Sequence, residues 1–117
     1  MPEDSLTGIR DRMRTFTRER DWDQFHDPKS LVLALVGEVG ELAELLQWLP
    51  ADSAGDRARH DPLNARLGEE LSDVLLYLVR LADVCGVDLP RAVDSKMAAS
   101  VQRFPLGDFF GSAPEKG

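Results

Sequence analysis

The chain has 117 residues, 43% of them hydrophobic, and a formal net charge of -7. That length fits one domain, and the acidic balance excludes passive binding to polymeric nucleic acid or to an anionic membrane. A single cysteine, Cys85, excludes an intramolecular disulfide and fits a reducing compartment. Residues 1–30 are charged and lack the apolar core of a signal peptide, and no apolar run reaches the length of a membrane span, so a cytoplasmic protein is expected.

Ser5 caps a first helix expected over Leu6 to Arg20, with Leu6, Ile9, Met13 and Phe16 on its inner face. Arg10, Arg12, Arg14, Arg18 and Arg20 fall mostly on other faces and read as a solvated surface. The stretch Asp21-Trp22-Asp23-Gln24-Phe25-His26 has no clear helical period. Trp22 is either a plug beneath this connection or a wall against a ligand, and His26 reads as a capping or surface residue. Asp27-Pro28 places an N-cap before a proline at the first helical position, so a second helix runs from Pro28 to Trp48. Leu35, Val39, Leu42 and Leu46 form its apolar stripe, and Pro50 ends it. Ala51 to His60 is polar, contains Gly55 and reads as a surface loop. Asp61-Pro62 repeats the start signal for a third helix, Leu63 to Cys85, with Gly86 where a C-cap belongs. Asp88-Leu89-Pro90 opens a fourth, Leu89 to Arg103, which carries Lys96, Ser100 and Arg103 on one polar stripe. The expected organisation is one helical domain over residues 1–105 and a loose tail over 106–117, in which Phe109-Phe110 would dock on a neighbouring chain or on the body. Helices joined by short connections, with no alternating strand pattern, point to an all-α four-helix bundle.

The chemistry concentrates in two acidic pairs. Glu38 and Glu41 are three residues apart, as are Glu70 and Asp73, so each pair shares a helix face. Both pairs lie among apolar residues, where carboxylates are costly unless paired or bound to metal. Gly37 and Gly40 flank the first pair and suggest that something approaches this backbone closely. Acidic oxygen donors from two facing helices suit Mg2+, or Mn2+, whereas a di-iron bundle needs Glu-x-x-His pairs that are absent here. A magnesium site of this kind works with substrate phosphates. Lys96 and Arg103 would meet those phosphates, and Trp22, Trp48 and Tyr77 would enclose a planar ring, which together suits a nucleoside triphosphate. No G-x-x-x-x-G-K-[ST] loop is present.

The run Leu33-Ala34-Leu35-Val36-Gly37-Glu38-Val39-Gly40-Glu41-Leu42-Ala43-Glu44, followed by Glu69-Glu70-Leu71-Ser72-Asp73-Val74-Leu75, resembles the MazG-type all-α nucleoside triphosphate pyrophosphohydrolases. Their pattern is E-E-x-x-E, a spacer, then E-x-x-D. Arg20-Asp21-Trp22, Gln24-Phe25-His26, Gln47-Trp48, Tyr77-Leu78-Val79, Val87-Asp88-Leu89-Pro90 and Ser95-Lys96-Met97 are similar to the subgroup that hydrolyses dCTP. The resemblance covers residues 5–105. It implies a helical oligomer, a homotetramer or at least a dimer. It also implies Mg2+-dependent cleavage of dCTP or a modified pyrimidine deoxynucleotide to the monophosphate and pyrophosphate, as nucleotide-pool sanitation. It carries metal binding to Glu38, Glu41, Glu70 and Asp73, and base stacking to Trp22 and Trp48. Tyr77, Lys96 and Ser100 match positions at the nucleotide, and Glu41 or Glu44 would accept the proton of the attacking water. Gly37 replaces the first Glu of the general pattern, as in the dCTP subgroup. Met13 stands where that subgroup has histidine and Ser100 where it has asparagine, and both bear on base preference. The alternative is a non-catalytic helical oligomer, binding or regulatory, with its carboxylates in surface or interchain ion pairs. A carboxylate-bridged redox bundle is a third.

Overall fold

The computed structural model describes residues 2–114, and every regular element among them is a helix. The chain divides into two compact units, Met1–Val87 and Asp88–Gly117.

In the first unit α1 (Leu6–Glu19) is followed by a 3₁₀ turn, Asp23–Phe25. Then come α2 (Pro28–Leu46), α3 (Ala51–Ala58) and α4 (Leu63–Val84). The expected caps form. Ser5 Oγ accepts the Gly8 N–H at 2.9 Å, and Asp27 accepts the Ser30 N–H at 2.9 Å with Pro28 entering the helix behind it. Gly8 is held by space as well, since a Cβ there would collide with the Pro2 carbonyl. α4 starts where expected, although Pro62 and not Asp61 occupies its N-cap position. Asp61 accepts the Ala65 N–H at 3.1 Å. Gly86, at φ +69°, takes the left-handed conformation that ends the helix.

α4 is the spine of this unit. Its most extensive packing is with α2, and α1 and α3 also lie against it. Leu31, Leu67 and Val79 are the buried apolar side chains among the described residues. Thr17 is wholly buried, and its hydroxyl donates to the Met13 carbonyl at 2.9 Å, which satisfies the one polar group it brings inside.

Two expectations are corrected. Residues 51–60 are not a loop, because Ala51–Ala58 is helical. Pro50 at its N-cap, Asp52 in the first turn, Arg57 in the last and three alanines favour the helix against the cost of about 1 kcal/mol for Gly55. The arginines of α1 are not all a solvated surface. Arg14, half-buried, grips Asp83 of α4 with two bonds, at 2.8 and 2.6 Å, whereas Arg20, at the C-cap, stays exposed as expected while lying over the Phe16 ring at 3.8 Å.

The hydrogen bonds from Arg14 hold the Asp83 carboxyl below its ordinary value against the opposing effect of burial. A carboxylate depressed in the folded state contributes stability above its unfolded value of about 3.9 and loses it as pH falls through the folded value. Asp83→Asn therefore lowers the melting temperature at pH 7 by several degrees, and the gap from the wild type closes as pH falls below the unfolded value and through the depressed folded one. Thermal melts of both proteins between pH 2 and 7 test this, and a gap independent of pH would remove the ion pair as its cause.

In the second unit α5 (Leu89–Arg103) begins with Asp88 accepting the Arg91 N–H at 3.2 Å. A four-residue helix, α6 (Leu106–Phe109), lies in the stretch expected as loose tail. Phe109 packs edge-on against Phe104 at 5.1 Å, and Phe110 stays exposed. Residues 115–117 of the expected tail lie outside the described residues.

Candidate metal centre and adjoining cavity

The register of α2 against α4 decides where the acids go. Glu38 and Glu41 lie one turn apart on α2, and packing of the two helices brings Glu70 to them. One carboxylate oxygen from each lies within 4.8 Å of the other two. Glu38 Oε2 and Glu70 Oε2 are buried and have no hydrogen-bond partner. Ionised carboxylates only accept hydrogen bonds, so three of them together cannot satisfy one another. Burial, and then the charges of Glu41 and Asp73, push the Glu38 carboxyl up. Burial, and then Glu41 and Glu38, push Glu70 up to about 6. Converging oxygens with orphaned lone pairs fit a hard divalent cation, which would supply the missing partner and cancel the repulsion.

Beside the acids, Ile9, Arg12, Met13, Phe16, Trp22, His26, Asp73 and Tyr77 help line a cavity of about 640 Å³. Trp22 is 44% exposed and stands edge-on to Phe16 at 5.5 Å. It is thus a wall of the cavity and not a plug beneath the connection. Asp73 lies outside the trio of close oxygens. It lines the cavity while its charge acts on Glu38, and so links the two features. Met13 presents a thioether where the resemblance places an imidazole.

The other expected residues of this unit, Glu44 and Trp48, belong neither to the trio nor to the cavity wall. Glu44 is exposed one turn beyond Glu41 and is not in the trio. Trp48 follows the end of α2, is 86% exposed, and does not line the cavity. Lys96, Ser100 and Arg103 belong to α5 in the second unit, with Lys96 and Arg103 exposed and Ser100 half-buried. Among the described residues, nothing beyond the adjoining residues and the helix's own backbone stands within 4 Å of where a Cβ would sit on Gly37 or Gly40, so the close approach expected there is not made by them.

The sequence reasoning missed Arg80. It is buried and joins Asp23 at 2.7 Å, His26 Nδ1 at 3.0 Å and Asp83 at 3.4 Å. His26 caps the 3₁₀ turn as expected, its backbone N–H donating to the Asp23 carbonyl at 3.1 Å, while its half-buried ring belongs to the cavity wall and is not a free surface group. The available signal was a lone charge in the apolar run Leu78-Val79-Arg80-Leu81, at a phase of α4 that faces inward.

The model of the MazG nucleotide pyrophosphohydrolase domain matches residues 26–107. The chain is 56% identical over 112 residues to dCTP pyrophosphatase 1 of Rattus norvegicus, covering 96% of this chain and 66% of the relative. It is 55% identical over 104 residues to dCTP pyrophosphatase 1 of Homo sapiens, covering 89% and 61%. The chain thus spans about two thirds of the length of the curated relatives it matches. Among solved structures, a pyrophosphatase from Archaeoglobus fulgidus superposes with a TM-score of 0.74 at 33% identity, covering 81% of this chain and 87% of that one.

Proposed function

Because the chain belongs to the MazG nucleotide pyrophosphohydrolase family, we propose that it hydrolyses a nucleoside triphosphate to the monophosphate and pyrophosphate, with dCTP or a modified pyrimidine deoxynucleotide as substrate and nucleotide-pool sanitation in the cytoplasm as its role. The observation that carries this reading is the carboxylate trio with two orphaned oxygens, joined through Asp73 to an aromatic-walled cavity. The names of the relatives support the choice of dCTP.

Glu38, Glu41, Glu70 and Asp73 would hold Mg2+, with Mn2+ as the substitute. When bound, such an ion neutralises phosphate charge and acidifies a water. The chain's own residues do the remaining work. Trp22 and Tyr77 wall the base, and for Trp48, which does not line the cavity, a role as second stacking face rests on sequence pattern alone. Glu41 or Glu44 accepts the proton of the water that attacks the α phosphorus. The bond from the α phosphorus to the bridging oxygen breaks, and pyrophosphate leaves with that oxygen. For Lys96, Ser100 and Arg103, a role at the phosphates rests on sequence pattern alone. The test is a screen of nucleoside triphosphates with Mg2+ and added inorganic pyrophosphatase, read as released phosphate. Preferred release from dCTP or a modified pyrimidine relative supports the proposal, and no release from any triphosphate refutes it.

Self-association, as a homotetramer or at least a dimer, belongs to the same proposal. Its support is the open side of α2, where Leu33 is 61% and Val36 62% exposed beside the bare Gly37 and Gly40. A second copy would cover that stripe. Val36→Glu should then yield monomers in light scattering while the wild type is oligomeric. A wild type that is monomeric at micromolar concentration would refute this part.

A further inference from the structure

Arg80 has no part in the chemistry above, yet its side chain is only 8% exposed and three of its N–H groups are engaged. Asp83, which it meets at 3.4 Å, is itself gripped by Arg14 of α1. Asp23, at 2.7 Å, and His26, at 3.0 Å, belong to the 3₁₀ turn and its C-cap, directly after Trp22. One buried cation thus ties α1, α4 and the aromatic connection together.

The contact with His26 says more than an ion pair would. A guanidinium donates hydrogen bonds, accepts none, and stays protonated near neutral pH. His26 Nδ1 therefore accepts from Arg80 Nε–H and carries no proton. A neutral imidazole holds one proton, which must then be on Nε2. Burial, followed by the charge of Arg80, holds His26 below its ordinary value, with Asp23 opposing. The ring belongs to the wall shared with Trp22, Asp73 and Tyr77.

We propose that Arg80 is a positioning residue for the cavity. It fixes His26 as the Nε2–H tautomer, so the wall offers a hydrogen-bond donor to a ring carbonyl or unprotonated ring nitrogen of a bound base, and through Asp23 it holds the Trp22 connection against α4. This rests on the nucleotide reading of the cavity.

The chain has two histidines, and the second is a built-in control. His60 Nδ1 lies 2.8 Å from the Asp56 carbonyl, which only accepts, so His60 keeps its proton on Nδ1. Long-range ¹H–¹⁵N spectra of the wild type at neutral pH should show opposite tautomers at the two sites, assigned with His60→Gln. Arg80→Met should mix the His26 tautomers and raise KM for dCTP about ten-fold while kcat changes by less than about three-fold, as for loss of a ground-state contact. Arg80→Lys, which keeps one donor, should recover the tautomer and much of the KM. A His26 Nδ1–H tautomer in the wild type overturns the proposal. So does an Arg80→Met protein that melts lower but keeps tautomer and KM, since Arg80 would then serve stability alone. Should Arg80→Met not fold, the wild-type spectrum and His26→Phe decide, the latter with the same rise in KM of about ten-fold expected and an unchanged KM overturning the proposal. The spectrum needs no turnover, so failure of the nucleotide reading would be seen separately, as absence of phosphate release.

Discussion

Glu38→Gln removes turnover by at least about three orders of magnitude and, in the same protein, raises the melting temperature in the presence of a chelator. The first effect follows from losing a charged oxygen donor, since a thousand-fold loss corresponds to about 4 kcal/mol of transition-state stabilisation. The second follows from the acids themselves. Glu38 and Glu70 each bury an oxygen with no partner, and burial and neighbouring acids push both carboxyls up. A neutral amide at position 38 relieves part of that repulsion and offers Glu70 a donor. Magnesium should separate the two proteins further. Saturating the wild type at about a hundred times the dissociation constant adds about 2.7 kcal/mol to its stability, and the variant should gain little. Phosphate release and melting curves with EDTA or Mg2+ check each arm. Full activity, or an undiminished response to Mg2+, would take Glu38 out of the metal site.

Trp22→Ala raises KM for the nucleotide by about ten- to a hundred-fold, the equivalent of about 1–3 kcal/mol for one base–aromatic stack. Its cost to the fold is small, because Trp22 is already 44% exposed and leans on a single aromatic neighbour, Phe16. Trp48 makes a sharper comparison. At 86% exposed it buries little of its surface among the described residues, so Trp48→Ala should barely change the melting temperature and still raise KM. Steady-state kinetics and melting curves on both variants suffice. If only Trp22→Ala changes KM, the slot has one tryptophan and Trp48 has another purpose.

The helices were legible wherever local chemistry fixes them. Asp27-Pro28 and Asp88-Leu89-Pro90 state their starts through a capping carboxylate and a ring that pre-sets φ, and both carboxylates accept the expected N–H. The helix Ala51–Ala58 was hidden because Gly55 and a polar composition look like a loop. Its alanines and end charges carry the helical signal, and an eight-residue helix depends on the neighbour it packs against. The spacing of Glu38, Glu41 and Glu70 made their shared faces readable, but it could not tell that Asp73 would join the cavity wall more than the close trio. Arg80 was unreadable for a different reason. Its partners Asp23 and His26 lie 57 and 54 residues away, and no local pattern reports a contact made by tertiary packing.

α2 is a single uninterrupted rod of 19 residues with two unlike sides. One side carries Glu38 and Glu41 toward Glu70, and the other leaves Leu33, Val36 and Gly40 bare. A rod cannot tilt or roll on one side alone. A small apolar molecule wedged along the bare strip would therefore displace the acids without resembling a nucleotide, and an inhibitor found that way would lower kcat and leave substrate competition untouched.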